Sequence, residues 1–289
     1  MYEGFFGLKE RPFDLAPNPR FLYVTRPLRE ALSTLRYGLI ARRGLTLLLG
    51  EAGTGKTTLV QTVLGELDTD AVECVLVSNP TLTRAEFYEH LSRAFRLDAD
   101  TATSKTRFLL ALRRHLERRL NADRLTALII DEAQSVPYEL LEEVRLLGNI
   151  ETPACKLLNI VLAGQPELAD RLNEPRLRQL KQRISLRCEL RPFDFPETAS
   201  YVAGRLRIAG GTPAEIFSRE AVAAIHEAAG GVPRTINVIC DNVLIGGFAA
   251  QTKPVPRAIV ADVVRDFDIR AAAGQAPAPI DAPDAAVSD

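Results

Sequence analysis

Eight residues constrain this 289-residue chain more than any others: Gly50-Glu51-Ala52-Gly53-Thr54-Gly55-Lys56-Thr57. They fit the spacing G-x-x-x-x-G-K-[ST], in which glycines let backbone N–H groups turn inward around an anionic phosphate. An apolar run at 45–49 precedes the loop, and a helical pattern from 56 to about 67 follows it. That order places the phosphate at a helix N-terminus, where free N–H groups and the helix dipole favour negative charge. Lys56 then reaches the outer phosphates, and the Thr57 hydroxyl ligates Mg²⁺.

The rest of the first two thirds agrees with such a loop. Residues 72–77, 125–130, 157–163 and 184–190 read as four further buried strands, with helical patterns at 84–95 and 105–120. Short apolar strands alternating with helices predict an α/β fold, a parallel five-stranded sheet covered on both faces. From 196 onward the strand signals stop, and helical patterns follow at 197–208, 219–229, 235–249 and 257–267. Seven of the 18 aromatics (12 Phe, 6 Tyr) fall in residues 1–37, a density that implies burial. The expected organisation is an aromatic segment packing on the core at 1–40, an α/β nucleotide-binding domain at 41–195, a small all-α lid at 196–270 and a tail at 271–289. The tail is rich in Ala, Pro and Asp, with no aromatic, Lys or Arg, and is expected to stay disordered.

Composition removes several classes. Lys and Arg number 36 against 37 Asp and Glu, a net charge of −1, so neither a wholly basic nucleic-acid packer nor an acidic disordered chain fits. The four cysteines (Cys74, Cys155, Cys188, Cys240) and three histidines (His90, His115, His226) show no metal-ligand spacing and read as reduced thiols and scattered side chains. No apolar run approaches the roughly 18–20 residues of a membrane span, and no secretory signal is visible, so the expected location is cytoplasmic.

The third strand ends Leu128-Ile129-Ile130-Asp131-Glu132. Asp131 stands where a Mg²⁺-coordinating aspartate belongs, and Glu132 where a base orients the attacking water. Taken alone, the pair also suits a helix N-cap. The guanine-reading Asn-Lys-x-Asp motif is absent. Gln134 completes an Asp-Glu-Ala-Gln string that also occurs in helicases, but no other helicase motif accompanies it. Gln165 in Gly164-Gln165-Pro166 is either a γ-phosphate sensor or a turn residue. Arg171, Arg176, Arg178, Lys181, Arg183, Arg187 and Arg191 form a basic stretch opposed only by Glu174 and Glu189. Arg183, and after it Arg178, is the candidate to reach a neighbouring subunit's nucleotide; the alternative is a solvated basic face. Gly231-Val232-Pro233-Arg234 makes a sharp helix start, from which Arg234 would project toward the phosphates. A second basic stretch holds Lys105, Arg107, Arg113, Arg114, Arg118, Arg119 and Arg124, and leaves DNA open as a partner.

Taken in order, these residues resemble an AAA+ P-loop ATPase, and more closely the ExeA-type (general secretion pathway protein A) family over nearly all of residues 1–270. The most specific strings are Phe5-Phe6-Gly7-Leu8, Pro12-Phe13, Pro19-Arg20-Phe21-Leu22-Tyr23, the loop with Thr58, Asp131–Gln134, Gly164–Leu168, Leu177-Arg178-Gln179-Leu180, Gln182-Arg183-Ile184 and Gly231–Asn237. The TniB and MuB transposition ATPases are similar at a greater distance. The resemblance implies ATP and Mg²⁺ as ligands, with contacts from Gly50 to Thr58 and from Arg234. It also implies homo-oligomers, and hydrolysis coupled to a protein partner of an export or assembly machinery. Full-length ExeA-type proteins continue into a membrane-spanning segment and a peptidoglycan-binding domain, so the resemblance covers their ATPase region only. The competing expectations are a DNA-binding transposition regulator and a nucleotide-binding scaffold without turnover; the intact Asp131-Glu132 pair argues against the scaffold.

Overall fold

The structure, a computed structural model, describes residues 1–15, 19–21, 23–67 and 71–266. The expected tail at 271–289 lies outside the described residues, as do Pro17, Leu22 and Phe267. The chain divides into two compact units. One holds Met1–Phe13, Asp194–Gly231 and the residues from Thr235; the other holds Asp14–Phe193 and Val232–Arg234.

The first unit opens with α1 (Glu3–Phe6). The second runs α2 (Arg26–Ile40), β1 (Leu45–Gly50), α3 (Lys56–Glu66), β2 (Val72–Val77), α4 (Arg84–Ala94), α5 (Lys105–Asn121), β3 (Leu125–Ile130), α6 (Tyr138–Leu147), β4 (Asn159–Gly164), α7 (Glu167–Leu172), α8 (Arg178–Lys181) and β5 (Ile184–Leu190). All strand pairs are parallel, in the order β2-β3-β4-β1-β5. Strand β4 is therefore inserted between β1, which feeds the glycine loop, and β3, which ends at Asp131.

Successive strand residues point to opposite faces, and both faces are apolar. One face carries Leu45, Leu47, Leu49, Leu128, Ile130, Ile160 and Leu162, in one cluster with Phe87 and Leu91 of α4, Phe108 and Leu112 of α5, and Leu141 and Val144 of α6. The other carries Leu48, Ala127, Ile129, Val161 and Ala163, clustered with Ala31, Leu35 and Leu39 of α2 and with Leu59, Val60 and Val63 of α3. Each fully buried Leu, Ile or Phe contributes about 1.5–3 kcal/mol, so these two layers hold the loop-bearing ends of the strands in register. Strands β1 and β4 are buried at every residue. The reading of β2 and β5 as fully buried strands needs correction: both are edge strands, and Leu76, Ser185, Arg187 and Glu189 are exposed. Ser185, Arg187 and Glu189 alternate onto the same face of β5, which is left uncovered at the margin of the sheet.

The helical unit continues with α9 (Phe195–Ile208), α10 (Pro213–Ile216), α11 (Arg219–Ala229), α12 (Pro233–Ala249, here from Thr235) and α13 (Arg257–Asp266). Helix α9 starts at a capping box: Asp194 accepts from the Glu197 N–H at 2.8 Å, and Glu197 accepts from the Asp194 N–H at 3.0 Å. Such reciprocal pairing satisfies two backbone donors that a helix start leaves free.

The aromatic N-terminus corrects the expectation of a 1–40 segment packed on the α/β core. Residues 1–13 belong to the helical unit, and α2 belongs to the α/β unit. The cause is specific pairing. Tyr2 donates its hydroxyl to Asp241, the Lys9 N–H donates to the Ala209 carbonyl at 2.8 Å, and Phe5 packs edge-on to Phe248. Buried Arg205 donates to the Pro12 carbonyl at 2.5 Å and to the Tyr201 hydroxyl at 2.7 Å. Tyr201 passes the chain of bonds on to Asn237 at 2.8 Å. Replacing Arg205 with alanine leaves a buried carbonyl without its donor, and we expect a loss of about 1–3 kcal/mol in stability. A lowered denaturant midpoint with faster exchange of the Lys9 amide is the expected readout; an unchanged midpoint contradicts it.

Candidate functional site

The site is built at the C-terminal ends of β1, β3 and β4. The chain leaves β1 at Gly50, and Gly53 and Gly55 take left-handed backbone angles, with φ of +81° and +100°. Side-chain-bearing residues rarely adopt this conformation, and a Cβ at Gly53 would also meet the Arg234 Cβ at 2.8 Å. The Thr54 hydroxyl closes the turn by donating to the Glu51 carbonyl at 2.8 Å. Buried Lys56 opens α3 and donates from Nζ to the Gly50 and Glu51 carbonyls, at 2.7 and 3.1 Å. Burial pushes its pKa down, while Glu132, Asp131, Glu51 and Glu167 act in the opposite direction.

The adjoining strand ends bring the predicted acidic residues to this loop. Thr57 donates from Oγ1 to Asp131 Oδ2 at 2.8 Å. Glu132 follows with φ +51°, a left-handed angle that costs a non-glycine residue about 1–2 kcal/mol. Its N–H donates to Asp131 Oδ1 at 3.0 Å. The Glu132 carboxylate accepts from the Gln134 amide at 2.6 Å and from the Gln165 amide at 3.3 Å. The Gln134 bond holds its pKa below the usual range against the opposing effect of burial, helped by Gln165 and by the charge of Lys56. Gln165 thus stands beside Glu132 because β4 stands beside β3. The Arg234 N–H donates to the Gly53 carbonyl at 3.2 Å, which sets the backbone of this residue beside the loop. Thr58 is half-buried in the first turn of α3, while Glu51 and Ala52 are exposed at the loop.

The structure gives the basic residues of the 171–191 run different surroundings. Arg171 turns inward, donating to the carbonyls of Gln134 and Val136 and lying over the Tyr138 ring at 4.7 Å. Arg176 covers the same ring at 5.0 Å, Lys181 donates to Asn173, and Arg187 pairs with Glu189. Arg178 and Arg183 are exposed and form no ion pair among the described residues. Arg183 precedes Ile184, which pairs with Leu45 at the start of β1, whereas Gly50 pairs with Leu190. It therefore lies at the far end of the strands from its own glycine loop, about 20 Å away at the rise of a β-strand. Four of the seven basic residues of the second stretch are paired within the chain. Lys105 pairs with Glu143, Arg107 with Asp100, Arg113 with Glu117 and Arg119 with Glu73.

Gln134 is the site residue that sequence reasoning did not assign. Its place two residues after Glu132 was the available signal. The four cysteines are unpaired thiols, and among the described residues no helix is long and apolar enough to cross a membrane.

Comparison with known proteins agrees with this geometry. A family model described as an AAA domain matches residues 40–172. General secretion pathway protein A of Aeromonas hydrophila is 42% identical over 249 residues, which is 86% of this chain and 45% of that protein. The chain thus spans less than half the length of this relative. Among solved structures, the ORC2 protein of Aeropyrum pernix superposes with a TM-score of 0.66 at 18% identity, over 89% of this chain and 72% of that one. Drosophila ORC bound to DNA gives 0.67 at 20% identity, over 89% and 64%. The Thermotoga maritima RuvB Holliday junction branch migration motor gives 0.54 at 16%, over 85% and 70%. At these identities the structural likenesses establish the fold alone. The inserted strand β4, the glycine loop and the sequence match together make this chain a member of the AAA+ P-loop proteins, of the general secretion pathway protein A type.

Proposed function

We propose that this chain binds ATP with Mg²⁺, hydrolyses it, and couples turnover to the assembly or remodelling of a protein partner in envelope export. The observation that carries this reading is the meeting of Lys56, Thr57, Asp131, Glu132 and Gln165 at one end of the sheet. A hydroxyl and a carboxylate 2.8 Å apart are hard oxygen donors of the kind Mg²⁺ accepts while keeping waters and phosphate oxygens. Among the described residues no group of three or more His, Cys, Asp and Glu stands ready to hold a metal by itself, which suits an ion that arrives with a nucleotide. When bound, Mg²⁺ supplies charge neutralisation at the phosphates. The backbone from Gly50 to Thr58 cradles the phosphate chain, and Lys56 holds its outer end. Thr57 and Asp131 are the metal ligands, Glu132 orients and deprotonates the attacking water, and Gln165 and Arg234 sense the γ-phosphate.

The A. pernix ORC2 structure, with ADPNP and ADP, supports an adenine nucleotide. The relative named for the general secretion pathway supports an export partner. A chain that turns over ATP works where ATP is, on the cytoplasmic side. Internal pairing of Lys105, Arg107, Arg113 and Arg119 reduces the basic surface that a transposition regulator on DNA would use. Phosphate release from ATP that requires Mg²⁺ and needs no DNA is the expected result. Activity appearing only with duplex DNA would instead favour the regulator.

Arg183, far from its own loop, acts on the nucleotide of a neighbouring copy. Lys56→Ala and Arg183→Ala should each be inactive alone. In mixed oligomers they should recover activity, because some interfaces pair an intact loop with an intact arginine. Co-assembly without any recovery contradicts the trans assignment.

A further inference from the structure

Gln134 is held at three points. Its side-chain Nε2 donates to Glu132 Oε2 at 2.6 Å, its Oε1 accepts the Gln165 N–H at 3.1 Å, and its backbone carbonyl accepts from Arg171. The orientation of its amide follows from chemistry. A backbone N–H can only donate, so the amide oxygen must face Gln165 and the NH₂ group must face Glu132. Gly164 makes room for this placement: a Cβ there would come within 3.0 Å of Gln134 Oε1 and 2.8 Å of Leu168. Among the described residues, Glu132 Oε2 takes both amide bonds and Oε1 takes none.

We infer that Gln134 is a positioning residue for hydrolysis, clamping Glu132 Oε2 against the tip of β4 so that Oε1 is left to accept the proton of the attacking water. This rests on the proposed role of Glu132 as the base. Backbone strain gives the clamp its purpose, since a carboxylate on a left-handed residue has no helix or strand to aim it. Arg171 is part of the same support. It ties the backbone of residues 134 and 136 to the Tyr138 ring, and the Tyr138 hydroxyl is anchored on Glu174 at 2.8 Å.

The test is Gln134→Glu, which keeps the size and the acceptor for the Gln165 N–H but replaces the donor to Glu132 with a carboxylate that repels it. Turnover should fall about 10²-fold, as misplacement of a reacting group by an ångström does. Affinity for a non-hydrolysable ATP analogue should stay within about threefold, because the loop is untouched, while the second carboxylate beside Glu132 should lower the unfolding midpoint slightly. Combined with Glu132→Gln, the same change should cause no further loss, since two residues acting through one carboxylate are non-additive. Gln134→Met, uncharged and of similar length, serves should the glutamate variant fold poorly, and the same split is expected. Full turnover in both variants overturns the inference. So does an equal loss with and without Glu132, or a loss of turnover matched by a loss of affinity. If Glu132→Gln alone keeps wild-type turnover, the role of Glu132 fails and this inference fails with it; a normal Gln134→Glu beside an inactive Glu132→Gln overturns only the clamp.

Discussion

Lys56→Ala is expected to lose ATP turnover by a factor on the order of 10³, and to weaken nucleotide binding, because it removes the buried cation held inside the loop. The ammonium group is buried, held by two carbonyls of its own loop, and lies in the field of Glu132 and Asp131. Burial weakens solvent screening, so its attraction for an anion is stronger than at a surface. The loop should keep its shape, since Gly53 and Gly55 set its backbone and the Thr54 hydroxyl closes its turn independently of Lys56. The change is therefore mainly one of affinity and rate, with a melting temperature lowered only modestly by the loss of the Nζ bonds to the Gly50 and Glu51 carbonyls. Phosphate release and titration with a fluorescent ATP analogue measure the two effects. Near-normal turnover in this variant contradicts the site.

Glu132→Gln should separate binding from chemistry. The replacement keeps size and removes the basic oxygen, and loss of a general base slows a reaction about 10²–10⁴-fold. Binding rests on the loop, on Lys56 and on Thr57 with Asp131, none of which uses the Glu132 carboxylate as a partner. ATP affinity should thus remain near wild type while turnover stalls. A loss of affinity as large as the loss of rate would place Glu132 among the binding residues instead.

How legible the molecule was depended on how local each cause was. The glycine loop was readable because its backbone angles, its lysine and its hydroxyl are specified by residues adjacent in the chain. Strands β1 and β3 were readable because continuous apolar runs suit a strand covered on both faces. The insertion of β4 between them is a long-range fact, and it is what brings Gln165 to Glu132. Helix α2 was hidden inside the aromatic segment, although Thr25 caps it by accepting from the Leu28 N–H at 3.3 Å. Helix α6 carries Leu140, Leu141, Val144 and Leu147 at helical spacing, so its signal was present in the chain. Aromatic density announced burial of the N-terminus but not its partner, because apolar burial is non-directional. Arg205 and Asp241, far along the chain, decide that residues 1–13 belong with the helices. Among the arginines from 171 to 191, charge alone could not tell which guanidinium turns inward. Arg171 does so because the carbonyls of Gln134 and Val136 face it.

The central claim is that one loop holds ATP while a separate carboxylate drives its hydrolysis. The most direct measurement incubates the Glu132→Gln protein with ATP and Mg²⁺ and identifies the nucleotide that remains on it. Intact ATP retained by the protein is the predicted result, and ADP formed at the wild-type rate, or no bound nucleotide at all, contradicts the account.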